Sequence, residues 1–415
     1  MKKHQDVFEG RIEVPEIVRA KADEVFQVIR EEKIEMIELQ HKDHEKGTGR
    51  RYLHFFKSQT AAAACVVAIA CAGITAAAAG FHLWSRGMQG TIQATPQEQQ
   101  SLIDQGVAVT DDNISEEQQN NLSGLAVTDN DITVLPNTVI IDDRVMHISF
   151  KVQGYDIEDG KEPSFDNIDV YLDSEADEKE LMDDGKMHQN SSINWTGGFY
   201  DGILPDLADA LGTGTYEDGT SLKTDENGNL IQYYKDDEGN LEFVLTAWDS
   251  RQDMSLLGQK IHVDFKNLGT VSKAAFEDDK EGEGKWNFTI QLPSVSSGKT
   301  IDVGKQIEGT DFVLKDVNIS PISIRLDYTS ENSHEINGDV LGIPDFVGVV
   351  LKDGTRLGYL DGGNILGYTD ESLTDAYGQS NFRKVIDPDQ VAFLLIYQSD
   401  SGNNTEANLL EVPLN

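Results

Sequence analysis

Hydrophobic and polar positions follow two different periods along this chain, and an apolar stretch lies between them. In residues 14–40 the apolar positions recur at spacings of three, four or seven, which predicts one amphipathic helix. From Val107 onward apolar and polar positions alternate, which predicts β-strands. Between these regions, the 22 residues from 60 to 81 contain no charged side chain.

The apolar stretch predicts a single transmembrane helix. At ~1.5 Å per residue it would be about 33 Å long, enough to cross a hydrocarbon core of ~30 Å. Arg50, Arg51 and Lys57 lie just before it, and basic residues at the near end of a span stay on the cytoplasmic side. We therefore expect the N-terminus inside the cell and the C-terminal part outside. Trp84, just after the stretch, is predicted to anchor the chain at the membrane interface together with the three basic residues.

Two other interpretations of this stretch remain open, because eleven of its 22 residues are alanine and two are glycine. It could be a buried helix of a soluble protein, although no other segment is suited to cover it on all sides. It could also be a cleaved signal segment, since Ala77–Gly80 fits the small-residue cleavage rule, but the preceding n-region would be unusually long. We favour a retained span. The predicted parts are then a cytoplasmic helical segment (1–57), the transmembrane helix (58–82) and two extracellular β-rich domains (83–295 and 296–415).

The N-terminal helix needs a partner for its apolar stripe. Pro15 and Glu16 suit its first turn, but a lone helix gains most of its stability by packing against something. The partner could be another protein, a second copy in a coiled coil, or the inner membrane face. The membrane is the weaker choice because residues 1–57 hold 12 basic and 12 acidic side chains. The candidate partner-binding residues are Ile17, Val18, Val25, Phe26, Ile29 and Met36.

The region after the apolar stretch is predicted to be mainly β. Thr95 suits a helix N-cap, Pro96 a first helical residue and Gly106 a stop, so one short helix comes first. Short strands with Gly, Asp and Asn turns follow, including a tight turn at Asp142–Asp143, and they predict two antiparallel, immunoglobulin-like or related β-sandwiches. A small-residue break at 294–298 places the boundary near 296. The predicted strands include 167–172, 230–235, 241–248, 259–266, 286–292, 346–351, 356–360, 382–386, 391–397 and 408–412.

The net charge limits the kinds of molecule that can bind the outer region, and the positions of the cysteines bear on its cellular compartment. The formal net charge of −39 arises entirely after residue 57, where 22 basic and 61 acidic side chains remain. Such an acidic region argues against nucleic acid and anionic membrane surfaces as its partners. Cys65 and Cys71 both lie in the apolar stretch, so the outer region is expected to lack disulfides, which suits a Gram-positive cell surface.

Catalytic motifs give no positive signal. Residues 297–300 end like a phosphate-binding loop, but Pro293 occupies the place of the first glycine and no helical pattern follows. The acidic residues are too numerous for a glycosidase pair to be singled out. We therefore expect that the chain is not an enzyme and takes no cofactor.

Oxygen-rich and histidine-containing stretches give only weak metal signals. In the stretch beginning at Asp225, Leu230 stands where a calcium loop needs glycine. We interpret this stretch and Asp236–Gly239 as hairpin turns, with a weak calcium site as the alternative. His41 and His44 have the spacing of a helical metal pair but no further ligand nearby.

Several stretches and the order of parts resemble one family. They are Pro15–Val18, Trp84–Met88, 147–155 with 163–165, 317–326 and 386–391. Together they resemble a Gram-positive family of membrane-bound anti-sigma-factor-like proteins with an uncharacterised ectodomain and a second, C-terminal β-rich domain. The resemblance implies a regulator that sequesters an extracytoplasmic-function sigma factor through its N-terminal helix and senses an envelope signal outside. The alternative is a cell-surface binding or adhesion protein that holds wall polymer or a partner protein. A secreted hydrolase is a third, weaker alternative.

Overall fold

The computed structural model describes most of the chain after the apolar stretch. The described residues form antiparallel sheets arranged as two β-sandwiches, which confirms the predicted mainly-β architecture. Among these residues, none of the helices is long and apolar enough to cross a bilayer. The described residues are 83–110, 122–157, 161–176, 191–199, 233, 235–236, 238–249, 251, 254–272, 277–334, 341–358, 360–369, 371–399 and 409–414.

Two short helices precede the first sandwich. They are α1 (Arg86–Thr91) and α2 (Pro96–Asp104). As predicted, Thr95 caps α2: its hydroxyl accepts from the Glu98 amide, and the Glu98 carboxylate accepts from the Thr95 amide. Gly106 follows the helix with a φ of +74°, a conformation that glycine adopts without strain.

The first sandwich pairs a six-stranded sheet with a three-stranded one. The larger sheet has the order β1-β3-β4-β7-β6 with β2 paired to β3, and the smaller has the order β5-β8-β9. As predicted, the Asp142–Asp143 pair lies in the turn between β3 and β4. The strands are β1 (Ala108–Thr110), β2 (Val127–Asp129), β3 (Ile132–Ile141), β4 (Val145–Gln153), β5 (Glu162–Leu172), β6 (Ile193–Phe199), β7 (Leu241–Asp249), β8 (Lys260–Ser272) and β9 (Glu277–Gln291).

Aromatic side chains fill the space between these two sheets. Phe165 stacks on Phe265 with ring centroids 4.5 Å apart, and Phe150 meets Phe265 edge-on at 4.9 Å. Trp286 is fully enclosed, and its indole N–H donates to the Ile132 carbonyl oxygen over 3.0 Å. The inward residues of each strand are therefore spaced two apart, as the alternating pattern requires.

The second sandwich pairs a five-stranded sheet, β10-β11-β12-β16-β15, with a four-stranded sheet, β14-β13-β17-β18. Its core contains Phe312, Tyr328, Phe346 and Phe382. Residues 292–298 join the sandwiches, and the predicted boundary near 296 lies in this connection. The strands are β10 (Lys299–Gln306), β11 (Phe312–Ile319), β12 (Ser323–Ser330), β13 (Asp345–Leu351), β14 (Arg356–Leu357), β15 (Asp361–Tyr368), β16 (Asp375–Phe382), β17 (Val391–Tyr397) and β18 (Leu409–Pro413).

One predicted strand is wrong, and a second is not a strand at the residues that the structure describes. The strand predicted at 382–386 is absent, because β16 ends at Phe382 and Val385 and Ile386 enter two different hydrophobic clusters. In the stretch predicted as strand 230–235, the described residues Tyr233 and Lys235 are not in a strand. The side chain of Tyr233 packs on the first core although the residue is not in a strand. An apolar position in this stretch therefore resembles the inward position of a strand.

A third hydrophobic cluster joins the helices to both sandwiches. The helical region contributes Trp84, Met88 and Ile92, and the six-stranded sheet contributes residues from its outer face, including Val244. Ile322 and Val385 of the second sandwich complete the cluster. The two sandwiches are therefore in apolar contact next to the first residues that the structure describes.

Candidate functional site

The N-terminal strap, residues 83–95, is the first described part of the chain and is attached to α2. The side-chain oxygen of Gln99 accepts from the amides of Leu83 and Trp84 over 2.8 and 3.2 Å. Its nitrogen donates to the Ala94 carbonyl oxygen over 3.0 Å. Gln99 is fully buried, so one amide group satisfies polar groups at both ends of the strap.

Glu242 of β7 holds the middle of the strap. Its carboxylate accepts hydrogen bonds from the Ser85 hydroxyl and, over 2.8 Å, from the Gly87 amide. The Met88 amide and the Ser149 hydroxyl also donate to it. Because Ser85 is the N-cap of α1, the carboxylate lies at the positive end of this helix, where negative charge is favoured.

Gly87 permits this close approach. A Cβ atom at this position would lie 2.7 Å from the carboxyl carbon of Glu242, closer than real contacts allow. The stretch Trp84–Met88 therefore combines an apolar residue at each end with a capping serine and a glycine that leaves room for the carboxylate.

The sheet face beneath the strap carries buried polar groups whose pKa values are shifted. Burial raises the pKa of Glu242 above its usual range, although the surrounding donors oppose the shift. Burial lowers the pKa of His147 on β4 to about 4. His147 shares a 2.9 Å hydrogen bond with Thr246 through Nδ1, and Nε2 has no partner among the described residues. Burial thus disfavours the charged form of each group, which is the carboxylate of Glu242 and the imidazolium of His147.

The strap is also attached to the second sandwich. Gln93 pairs with Lys384 in an isolated parallel bridge. The Gln93 amide donates to the Arg383 carbonyl oxygen, and the Val385 amide donates to the Gln93 carbonyl oxygen, both over 2.8 Å. A single short segment therefore forms hydrogen bonds with both sandwiches.

Asp142 forms a second contact between the sandwiches. Its carboxylate accepts from the hydroxyls of Ser320 and Ser323, which flank the turn before β12. It also accepts from the amides of Arg144 and Val145 at 2.8 Å each. Asp142 is only 1% exposed, and this burial raises its pKa despite the four donors.

Two guanidinium groups approach each other at the same junction. Burial and the neighbouring positive charge of Arg325 lower the pKa of Arg144. Arg144 donates to two carbonyl oxygens of the loop after β7, at 3.2 and 3.3 Å. Arg325 is held by Asp327 at 2.8 Å and lies 4.5 Å above the Tyr377 ring. Asp327 therefore offsets the repulsion between an arginine of each sandwich.

A further polar row crosses the outer face of the three-stranded sheet. Tyr171, His262 and Thr289 are register partners, and the Tyr171 ring stacks on His262 at 4.7 Å. His262 shares hydrogen bonds with Asp173 at 2.8 Å and Thr289 at 3.1 Å. This order of groups is found in nucleophilic triads, but the Asp173 side chain is 58% exposed, whereas the aspartate of such a triad is buried. We assign the row to cross-strand packing.

The predicted site residues lie in different places. The helix residues Ile17, Val18, Val25, Phe26, Ile29 and Met36, and the basic residues Arg50, Arg51 and Lys57, lie outside the described residues, as do His41, His44 and the stretch from Asp225 to Leu230.

Trp84, the predicted membrane-interface anchor, is 3% exposed and packs in the third cluster. Its main-chain amide donates to the side-chain oxygen of Gln99. Its role as an anchor stays a prediction.

The predicted turn at Asp236–Gly239 is confirmed. Gly239 has a φ of +85°, and its amide donates to the Asp236 carbonyl oxygen. The Asp236 carboxylate accepts from the turn amides of Glu238 and Asn240 and from Lys151. Within the described ranges, no group of three or more His, Cys, Asp or Glu side chains is arranged to hold a metal ion.

The sequence pattern does not reveal the roles of Glu242 and Gln99, or the role of Asp142 beyond its turn. In β7, inward Leu241, Phe243 and Leu245 alternate with outward residues, so Glu242 has the pattern of a solvent-facing position. The one available signal is Val244, an apolar residue on that outward face, which indicates that something covers it.

Comparisons with known proteins add little to this geometry. Neither a protein-family model nor a curated protein matches the sequence. A crystal structure described as a conserved domain protein from Bacillus anthracis is similar at 14% sequence identity and a TM-score of 0.39, over 65% of this chain and 74% of that one. A similarity at this level leaves the function to be argued from the chain itself.

Proposed function

We propose that this chain is a single-pass membrane regulator of the anti-sigma-factor type. Its N-terminal helix sequesters an extracytoplasmic-function sigma factor, and its two-sandwich region responds to a signal in the cell envelope. The proposal joins the amphipathic helix and the apolar stretch of the sequence to the attachment of the strap in the structure.

The observation that supports the proposal most is the fixed position of the strap. The chain leaves the apolar stretch at His82, and from Leu83 onward its polar groups are bound to Gln99 and Glu242. In the sequence, His82 alone lies between the apolar stretch and Leu83, the first residue that the structure describes. A change in the sandwiches can therefore act directly on the preceding chain. An adhesion protein has no need of such an attachment, because its ligand is held outside whatever the anchor does.

The sigma-binding surface is the apolar stripe of the N-terminal helix. Val18, Val25 and Ile29 lie on one side of this predicted helix, and Gln27 lies opposite. A buried charge without a partner is costly, so an aspartate in the stripe should abolish sequestration.

A reporter driven by the sigma-dependent promoter tests the proposal in cells that carry the full-length chain. The variants V18D, V25D and I29D should release reporter activity, whereas Q27D, which adds the same charge on the opposite side, should leave repression intact. Equal repression by all four variants would refute this interface. Capture of the full-length protein from solubilised cells should recover the sigma factor, and V25D should lose it.

Deletion of residues 1–45 separates the regulator from the surface-binding alternative. A regulator loses control of the promoter while its outer region remains folded. A surface-binding protein keeps its ligand, and transcription does not change.

A further inference from the structure

We propose that the strap and the Asp142 junction form one cooperative unit, so that loosening the contact between the sandwiches releases the strap. The inference concerns the two-sandwich region alone and would supply the regulatory step of the proposed function. It rests on a continuous set of hydrogen bonds and apolar contacts between the two attachments.

The connection begins at Asp142 and runs through one turn of the second sandwich. Ser320 and Ser323 donate to Asp142, and the two residues between them bind the end of β16 and the segment that follows it. The Phe382 amide donates to the Ile322 carbonyl oxygen at 2.8 Å, and the Ile386 amide donates to the Pro321 carbonyl oxygen at 3.1 Å. The turn that receives Asp142 is therefore bonded directly to residues 382–386.

The same segment carries the strap. Arg383 and Val385 form the two main-chain hydrogen bonds with Gln93, and Val385 lies in the third cluster with Met88 and Ile92. Movement of the second sandwich away from Asp142 would withdraw Ile322 and Val385 from that cluster. The strap would then lose both its main-chain partner and part of its apolar cover.

The contact of the strap with Glu242 would also weaken. Glu242 is buried beneath α1, and the donors Ser85, Gly87 and Met88 offset only part of its desolvation. Once α1 moves, water can hydrate the carboxylate instead, so the strap gains little from staying docked on the first sandwich alone. Partial release is thus disfavoured, which is the basis of cooperativity.

Amide hydrogen exchange of the full-length protein in detergent tests the inference. The double variant S320A/S323A removes two donors from Asp142 and touches no strap residue. It should raise the exchange rates of the Gly87, Met88 and Gln93 amides at least tenfold. The control is S296A, which removes an exposed hydrogen bond to the neighbouring Asp143 and should leave these rates unchanged. Faster exchange confined to residues 142–145 and 320–323 would overturn the inference.

A covalent lock tests the reverse direction. Gln93 and Lys384 are bridge partners, and such partners lie about 4.8 Å apart, within the range of about 4.4–6.8 Å that a disulfide needs. In a chain with C65S and C71S, oxidised Q93C/K384C should slow exchange at the Val145 and Ser323 amides, because coupling between two sites is reciprocal. Unchanged exchange after complete oxidation would contradict the coupling, even if S320A/S323A fails to fold.

These readouts need no sigma factor. Exchange results that support the coupling, together with an unresponsive reporter, would refute the proposed function and leave the inference standing. Exchange results that contradict the coupling, together with a reporter that responds as expected, would refute the inference and leave the proposed function standing.

Discussion

Glu242 accepts a hydrogen bond from the Ser85 hydroxyl across 157 positions of sequence. The contact joins a central strand of the first sandwich to the first turn of α1. Since Glu242 is buried, the partners of its carboxylate decide whether the strap stays docked.

Gly87→Ala should destabilise the folded region. Alanine is normally favoured over glycine in a helix by about 1 kcal/mol, but its Cβ here would lie 2.7 Å from the Glu242 carboxyl carbon. We expect a net loss of about 1–3 kcal/mol in the free energy of unfolding, measured in urea. Gly358→Ala is the matched control, because a Cβ there meets nothing within 4 Å. Equal stability of the two variants would show that Glu242 can move aside.

Glu242→Gln should change how stability depends on pH. Burial raises the native pKa of Glu242 above the ordinary 4.5, so the folded state binds a proton more tightly than the unfolded state does. Stability therefore falls as the pH rises from about 4.5 through the native pKa, and this component disappears in the variant. The measurement is the urea midpoint at a series of pH values. Glu283→Gln, at an exposed position of β9, should retain the wild-type profile.

His147→Gln should remove a contribution to the pH dependence of stability that is opposite in sign to the contribution of Glu242. The native pKa of about 4 lies below the ordinary 6.5, so only the unfolded state takes up the proton between these values. Wild-type stability should fall as the pH drops from 6.5 to about 4, by up to about 3 kcal/mol. The glutamine variant should lose less stability than the wild type over this pH range. Identical profiles would mean that His147 is hydrated in solution.

Asp142→Asn and Asp142→Ala should differ in their effects. Burial raises the pKa of Asp142, so its charge is costly, but its four hydrogen bonds are needed. Asparagine retains the acceptor for the Arg144 and Val145 amides, and the serine hydroxyls can reorient. We expect a loss of about 1 kcal/mol for asparagine and about 2–4 kcal/mol for alanine. Similar losses in urea unfolding would argue that the charge itself stabilises the junction.

Asp327→Asn should weaken the junction through Arg144 and Arg325. The variant removes the carboxylate that holds Arg325 and attracts Arg144, so the repulsion between the two guanidiniums loses part of its compensation. The expected loss is about 1–3 kcal/mol in urea unfolding. Asp389→Asn removes an exposed ion pair with Lys299 and should cause no measurable change. Equal behaviour would show that the arginines separate without cost.

Local patterns predicted the elements of this fold better than its long-range contacts. Thr95, Pro96 and Gly106 define α2 through capping and φ preferences that act within a few residues. The Asp142–Asp143 turn likewise follows from residues near it in sequence. The partner of Glu242 is far away in the chain, and a strand with alternating pattern does not show which element covers its polar face.

The strand wrongly predicted at 382–386 shows the same limit. Val385 and Ile386 have the side chains of a strand, and both are buried. They enter different clusters, however, because the segment crosses from the second core to the junction. The periodicity of apolar residues indicates that a residue is buried, but it does not indicate which part of the protein covers that residue.

The third hydrophobic cluster bears on how this protein can be divided for study. A cut within residues 292–298 would look natural, since it falls between two sandwiches. Each product would nevertheless expose apolar side chains: Met88, Ile92 and Val244 on one, and Ile322 and Val385 on the other. Such fragments would be prone to self-association. Expression of residues 83–415 as a single piece keeps this surface covered.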